Sequence, residues 1–477
     1  MAETLWQWDE LVAAAEARGD GQPAAAITGF SIDTRTIEPG DVFVALKDKR
    51  DGHEFVGAAF EAGVAAALVS KGYRRGKADG ALLRAGDSLE ALQAVGRAAR
   101  ERTAARIAAI TGSAGKTGTK EMLRACLAVA GATHASEKSY NNHWGVPLTL
   151  ARMPKPSEFG VFEIGMNHPG EITPLAKLVR PHVAVITTVE PVHLGQFASV
   201  EAIAEAKAEI LLGLQPGDTA ILPRDNPHFD LLKARAVAAG AKIVSFGFSQ
   251  EADVRALQVD LGPRGSSVIA GVDTQRFPYR VGAPGEHYVK NSLAVLAALT
   301  ALGADAMRCL AALAGVKAPP GRGARSALQA DGGQILLIDE SYNANPASVK
   351  AALAAMATTP REQFPRRVAV LGDMLELGAA SADLHRGLKP AVDAAAIDLV
   401  LACGDMTKLL FDTLAPGQQG AWAPTSTELV PALLETVKAG DAVMIKGSLG
   451  SRMAPLVEAL VARYAGADRP AGGENAV

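Results

Sequence analysis

Short apolar runs closed by glycine or polar turns alternate along this chain with stretches whose apolar residues recur at helical spacing. The runs at 41–46 and 65–70 read as strands, and a helical pattern over 89–103 follows them. From Arg106 the pattern restarts as a strand at 107–110, a glycine-rich turn and a helix over 120–130. Buried-strand runs come next at 159–164, 183–188 and 219–222, separated by helix-like segments. A third stretch opens near Pro319-Pro320-Gly321, with a strand at 335–339, a helix over 346–358, and strands at 367–372, 399–403 and 442–446. Near-continuous apolar strands between helices predict mainly parallel sheets covered on both faces. The expected architecture is α/β in three domains. These are a small N-terminal α/β domain over 1–104, a central mainly parallel domain over 105–316, and a doubly wound, Rossmann-like C-terminal domain over 317–477. The tail from Ala465, rich in glycine, alanine and polar residues, is expected to fray.

Composition narrows the class without changing this picture. With 48% hydrophobic and 21% charged residues, the 477-residue chain reads as an ordinary soluble globular protein. A formal net charge of -3 argues against a nucleic-acid partner that would require a large basic surface. Cys126, Cys309 and Cys403 lie far apart in sequence and read as reduced core thiols. The N-terminus lacks a basic region followed by an apolar one, and no apolar run approaches the ~20 residues that span a bilayer. A cytoplasmic protein without membrane insertion is expected.

The first candidate chemistry is the turn Thr111-Gly112-Ser113-Ala114-Gly115-Lys116-Thr117 between a strand and a helix. Its glycines let the backbone curl so that N–H groups point inward, and the following helix adds its positive end, which suits a phosphate group. Lys116 would reach the β- and γ-phosphates of ATP, and Thr117 would offer its hydroxyl to Mg²⁺. The usual spacing puts a further glycine where this chain has Ile110, so only the Gly-Lys-Thr half of the pattern is standard. A central domain of P-loop ATPase type follows. Glu163 closes a strand, a position that suits either a metal ligand or a solvated rim residue. His193, after the strand at 183–188, reads by itself as structural or as a ligand. Lys207 sits among Glu201, Glu205 and Glu209 and reads by itself as a solvated cation on a charged helix.

The order of several motifs over nearly the whole chain resembles the Mur ligases, the amide-forming enzymes of peptidoglycan precursor synthesis. Their shortened phosphate loop does not require glycine at the position of Ile110. The resemblance covers Asp33-Thr34-Arg35, Gly40-Asp41-Val42-Phe43-Val44-Ala45 and Asp51-Gly52-His53-Glu54-Phe55. It continues through Asn141-Asn142-His143-Trp144-Gly145-Val146-Pro147, Glu163-Ile164-Gly165-Met166-Asn167, His193 and Ala206-Lys207-Ala208-Glu209-Ile210. Next comes Gly285-Glu286-His287-Tyr288-Val289-Lys290-Asn291. In the last third it takes in Gly321-Arg322, Asp339-Glu340-Ser341-Tyr342-Asn343-Ala344-Asn345-Pro346 and Leu371-Gly372-Asp373-Met374-Leu375-Glu376-Leu377-Gly378. Within the family, the runs 342–346 and 371–378 are the most telling for a member acting on UDP-N-acetylmuramoyl-tripeptide and D-alanyl-D-alanine. The sibling that adds the third residue is the close competitor. Here Asp225-Asn226-Pro227 reads as a turn after the strand at 219–222. Folylpolyglutamate synthase and a P-loop switch that merely hydrolyses ATP are more distant alternatives.

The resemblance implies an ADP-forming ligase with an acyl-phosphate intermediate, two Mg²⁺ ions and a monomeric chain. It implies that Gly112, Ser113, Ala114, Gly115, Lys116 and Thr117 cradle the phosphates, with Asn291 and Arg322 also on ATP. Asp339 would take the ribose hydroxyls, and Tyr342, Asn343 and Asn345 would border the adenine. Thr117 and Glu163 would hold one Mg²⁺, and His193 with a carbamylated Lys207 the second. Lys116, Lys207 and His193 are thus the implied catalytic residues. Thr34, Arg35, Asp51, Gly52 and His53 would hold the nucleotide end of the UDP-peptide, and Asn141 and Asn142 would face its muramoyl-peptide. Where the family's turn before Asp51 contains glycine, this chain has Lys47-Asp48-Lys49-Arg50.

Overall fold

In the computed structural model, residues 3–137, 139–192 and 195–464 are described. His193 and the tail from Ala465 therefore lie outside the described residues. The chain forms three sheets in succession, as the α/β expectation requires. The first contains β1 (Arg18–Asp20), β2 (Gly29–Ser31), β3 (Asp41–Val44), β4 (Ala66–Ser70) and β5 (Ala81–Ala85), in the order β1-β5-β4-β3-β2. Its pairings are parallel except that of β1 with β5.

The second sheet is built from β6 (Arg106–Thr111), β7 (Thr133–Ala135), β8 (Phe159–Glu163), β9 (Val183–Ile186), β10 (Thr219–Pro223), β11 (Lys242–Gly247), β12 (Val254–Gly262), β13 (Gly265–Val272) and β14 (Gln275–Val281). Its order is β14-β13-β12-β11-β10-β9-β6-β8-β7. All neighbours from β7 to β12 are parallel, whereas β12, β13 and β14 form antiparallel hairpins at one edge. The apolar pattern does not announce those hairpins because β12 is largely solvated. Leu257 and Leu261 are exposed along it, so it offers no buried run. The third sheet holds β15 (Ala324–Ala330), β16 (Gly333–Glu340), β17 (Arg366–Gly372), β18 (Leu399–Cys403), β19 (Gln419–Ala423) and β20 (Asp441–Lys446), in the order β15-β16-β20-β17-β18-β19. Only β15 runs antiparallel.

Helix starts follow local capping chemistry. The Asp87 carboxylate accepts the Leu89 and Glu90 N–H groups at the start of the helix Ser88–Glu101. Asn345 and Ser348 form a reciprocal capping box on the helix Pro346–Ala357, with proline in its first turn. The helix expected over 120–130 begins earlier, at Lys116, directly out of the phosphate loop.

The N-terminal and central domains share one apolar cluster, which runs from Trp6, Phe30 and Leu83 to Ile107, Phe162 and Ile186. Across that join the Trp6 indole N–H donates to Ala151 O at 2.9 Å, and Arg102, which stacks 3.4 Å over the Trp6 ring, donates to Met153 O at 3.4 Å. The C-terminal sheet instead has its own clusters on its two faces. It meets the central domain through polar contacts: Gly195 N to Glu376 O at 3.1 Å, Arg325 Nη1 to Pro263 O at 3.0 Å, and the Tyr288 hydroxyl to Arg322 O at 3.2 Å. Cys126, Cys309 and Cys403 are buried free thiols, as expected. Among the described residues no helix is long and apolar enough to cross a membrane.

Candidate active site

The central sheet places its chemistry where β6, β8 and β9 end. β6 is buried from Ile107 to Thr111 and delivers the chain into the turn 112–115. Gly112 has φ +151, and a Cβ there would fall 1.9 Å from Thr187 Oγ1. Gly115 has φ +82, and its Cβ would lie 2.8 Å from Asn291 Oδ1. Both positions therefore demand glycine, for conformation and for space. The loop is pinned to the strand end of β9: Ser113 N donates to Thr188 O at 2.9 Å, and the Thr187 hydroxyl to Ala114 O at 2.5 Å.

Lys116 opens the helix and folds back, its Nζ donating to Gly112 O at 2.7 Å. Burial lowers its pKa; the Glu163 charge opposes that shift and the Arg322 charge adds to it. Glu163, 1% exposed, ends β8. One of its oxygens accepts the Thr117 hydroxyl at 2.9 Å and the other the Asn141 side-chain amide at 2.8 Å. A hydroxyl and a carboxylate thus meet beside a phosphate-binding turn. That sparse oxygen set fits Mg²⁺, which takes few protein ligands and fills the rest with water and phosphate. Among the described residues no three His, Cys, Asp or Glu side chains cluster as a metal site.

Lys207 overturns the solvated-helix reading. It is 2% exposed in the last turn of the helix Val200–Ala208, and no hydrogen-bond or carboxylate partner is found for it among the described residues. Its acidic neighbours are engaged elsewhere: Glu205 pairs with Arg235 at 2.6 Å, and Glu209 accepts the Gly170 N–H at 2.6 Å and the Thr173 N–H at 2.9 Å. Burial holds the Lys207 pKa well below the usual lysine value, with the Lys116 charge acting in the same direction.

A cavity of about 1030 Å³ lies between the central and C-terminal domains. From the central domain its wall takes Ser113, Ala114, Gly115 and Lys116 together with Asn141, Asn142, Glu163 and Asn291. From the C-terminal domain it takes Arg322, Tyr342, Asn343 and Asn345. The Arg322 guanidinium lies 4.1 Å over the Tyr342 ring and reaches Ser139 Oγ at 3.4 Å. Asn345 spends its side chain on the helix cap, and Asn142 accepts the Gly145 N–H at 2.9 Å. Asp339 sits behind the wall, accepting the Gly321 N–H at 3.0 Å and the Ser341 hydroxyl at 2.6 Å. The turn at 225–227 is a turn here too: Asp225 accepts the Phe248 and Ser249 N–H groups, and Asn226 donates to Val189 O at 2.9 Å.

The N-terminal residues form a separate group away from this cavity. Thr34 and Arg35 lie in a short 3₁₀ turn capped by Asp33, whose carboxylate also pairs with the exposed Arg35 side chain at 2.7 Å. The His53 ring sits 2.6 Å from Asp51 Oδ1, and its Nε2 accepts the Ser70 N–H at 2.9 Å, which leaves the hydrogen on Nδ1. Gly52 admits the close approach of Leu46, whose O a Cβ would meet at 2.6 Å. The substitute run at 47–50 still closes a turn, through a Lys47–Asp51 bridge and Asp48 N to Arg50 O at 3.1 Å.

Sequence reasoning passed over Glu340 and Lys446, which also line the cavity. Lys446 is 3% exposed and pairs with Glu340 at 3.1 Å while donating to Asn343 O at 3.0 Å. The signal was available: each is a charged residue closing a buried strand, at the end of the sheet where ligands bind in this architecture.

Comparison with known proteins places these features together. The Mur ligase middle domain profile matches residues 110–299, and that of the Mur ligase, glutamate ligase domain, matches residues 324–449. The UDP-N-acetylmuramoyl-tripeptide--D-alanyl-D-alanine ligase of Escherichia coli is 34% identical over 438 residues, covering 91% of this chain and 94% of that protein. The Bacillus subtilis protein of the same name is 33% identical over 440 residues, covering 91% and 93%. A crystal structure of MurF from Acinetobacter baumannii superposes with a TM-score of 0.82 at 30% identity, covering 96% of this chain and 99% of that one.

Proposed function

The chain belongs to the Mur ligase family, and from that premise we propose that it is the ATP-dependent, ADP-forming ligase joining D-alanyl-D-alanine to UDP-N-acetylmuramoyl-tripeptide in cytoplasmic peptidoglycan precursor synthesis. The observation that carries the reading is the buried Thr117–Glu163 pair beside the phosphate loop, opening on a cavity that Arg322 reaches from another domain. We place the domain boundaries at 104/105 and 316/317 and take the chain as a monomer.

A carboxylate resists amine attack because its charge repels the nucleophile's electron pair. Transfer of the γ-phosphoryl group to the carboxylate of the UDP-linked peptide gives an acyl phosphate, with ADP leaving. The D-alanyl-D-alanine amine then adds to the activated carbonyl, the tetrahedral species collapses, and phosphate departs as the amide forms. The protein's work is charge screening and alignment. Lys116 withdraws from Gly112 O and screens the transferred phosphoryl group, and the inward N–H groups of Gly112, Ser113, Ala114 and Gly115 hold the phosphates. Thr117 and Glu163 would hold one Mg²⁺, and His193 with a carbamylated Lys207 would hold a second; bound there, the metal would supply positive charge beside the phosphates and the acceptor carboxylate. A buried lysine whose neutral form is favoured is the chemical precondition for carbamylation, since only the neutral amine takes up CO₂. Asn291, Arg322 and Asp339 orient the nucleotide, with Tyr342, Asn343 and Asn345 beside its base. Thr34, Arg35, Asp51, Gly52 and His53 take the uridine end of the acceptor, and Asn141 and Asn142 its peptide.

The deciding assay is ADP release. It should require UDP-N-acetylmuramoyl-tripeptide and D-alanyl-D-alanine together. Equal release with neither present would make the protein a P-loop hydrolase instead.

A further inference from the structure

The last domain joins the central one at the turn 319–323, and among the described residues the hydrogen bonds on that turn's backbone come from the turn itself or from the C-terminal side, but for a single group. On the C-terminal side, Gly321 N donates to Asp339, Tyr342 N to Gly321 O at 3.0 Å, and Gly323 N to Asp339 O at 2.7 Å. Gly321 and Gly323 stand at φ +71 and +98, so Arg322 is carried between two left-handed residues. From the central domain, the Tyr288 hydroxyl donates to the Arg322 carbonyl at 3.2 Å. Tyr288 is 5% exposed, lies in the first turn of the helix Glu286–Ala301, and packs its ring against Gly118 of the phosphate-loop helix and against the His287 ring at 4.5 Å. One rigid phenol therefore touches the helix that follows the phosphate loop and the backbone of the arginine brought in from the other domain.

We propose that Tyr288 is a positioning residue: its hydroxyl clips the interdomain turn and sets the Arg322 guanidinium at the phosphate end of the cavity when the C-terminal domain is docked. The proposal rests on the ligase reading, because it assumes that Arg322 acts on the nucleotide. A phenol fits this task. It reaches across the boundary from a stiff ring, and its hydroxyl donates to a carbonyl that accepts no other hydrogen bond among the described residues.

The test is a double-mutant cycle on ADP release with both acceptors present. Tyr288→Phe keeps the ring and removes only the hydroxyl. The expected result is a kcat about five- to tenfold lower, the loss of one hydrogen bond, with the apparent melting temperature unchanged. In an Arg322→Ala background, where there is no guanidinium to place, Tyr288→Phe should cost nothing further. Equal fractional losses in both backgrounds would show a merely structural tyrosine, and this includes the case in which Tyr288→Phe folds poorly. No loss in either background would also overturn the clip. The wild-type enzyme in the same assay separates these outcomes from failure of the ligase reading, which would show as acceptor-independent ADP release.

Discussion

Replacing Lys207 by methionine tests the most demanding electrostatic feature of the site. The amine is buried with no carboxylate partner among the described residues, and burial together with the Lys116 charge favours its neutral form. In the unfolded chain the same amine is protonated below a pKa of about 10.4. Between the lowered native pKa and that value the unfolded state binds the extra proton. Stability therefore rises with pH through this window, by about 1.4 kcal/mol per unit, and falls as pH drops through it. An interval of about 1.5 pH units inside this window amounts to about 2 kcal/mol, or about 4–8 °C in the melting temperature of a domain of ~200 residues. Lys207→Met keeps the volume and removes the titration, so the difference between wild-type and variant melting temperatures in CO₂-free buffer should shrink by that amount over the interval. Other alkaline groups, such as the Cys126 thiol that burial pushes up to about 12, titrate in both proteins and cancel. Added bicarbonate should raise the turnover of wild type and leave Lys207→Met inactive. A flat difference curve would refute the buried neutral amine. A methionine variant retaining more than about a tenth of wild-type turnover would refute its catalytic part.

Three further changes read other parts of the site. Glu163→Gln keeps an oxygen for the Thr117 hydroxyl and, once the Asn141 amide turns over, an N–H for the Asn141 oxygen, so melting should be little changed while turnover falls about 100-fold and the Mg²⁺ requirement rises, as an ADP-release titration with Mg²⁺ would measure. Gly112→Ala drives a Cβ into Thr187 at a φ of +151, which should cost about 1–3 kcal/mol in a denaturant melt and raise the KM for ATP. His134, His182 and His385 all have pKa values lowered by burial, so the stability they confer is present above the unfolded pKa of about 6.5 and is lost as pH falls below it, at no more than about 1.4 kcal/mol per unit each. Melts from pH 7 to 5 should show the loss, and His385→Gln should reduce its slope.

Local signals in the sequence carry much of this arrangement. The phosphate loop, Glu163 at the end of β8 and the helix start at Asn345 follow from apolar runs, glycine positions and capping residues. Lys207 is legible too, but in a different measure from the one its charged neighbours suggest. Counting charges nearby points to a solvated face, yet Glu205 and Glu209 are two residues away and point to the opposite side of the helix. The residues that share its face, at three and four positions, are Ile203, Ala204, Ile210 and Leu211, all buried. Periodicity carries the answer that composition hides. In the hairpins β12–β14 the largely solvated β12 leaves no such trace and is held by pairing, whereas β13 carries a short apolar run with Val268 and Ala270 buried. The Tyr288–Arg322 contact joins residues 34 apart in sequence, and no local pattern encodes it.

The way the domains are joined explains why the chemistry sits where it does. The N-terminal and central domains share one apolar cluster and the Trp6–Ala151 bond, so separating them would expose buried hydrocarbon. The C-terminal domain instead meets the central one across backbone carbonyls and a phenol, groups that water can satisfy equally well when the domains part. Opening at the C-terminal boundary would therefore expose less buried hydrocarbon than opening at the N-terminal one. An acyl phosphate must be shielded from water while it exists and released from shielding once the amide has formed. With Lys116 and Glu163 on one side of the polar boundary and Arg322 on the other, a closing motion there would complete the charge around the phosphates and exclude water in the same step.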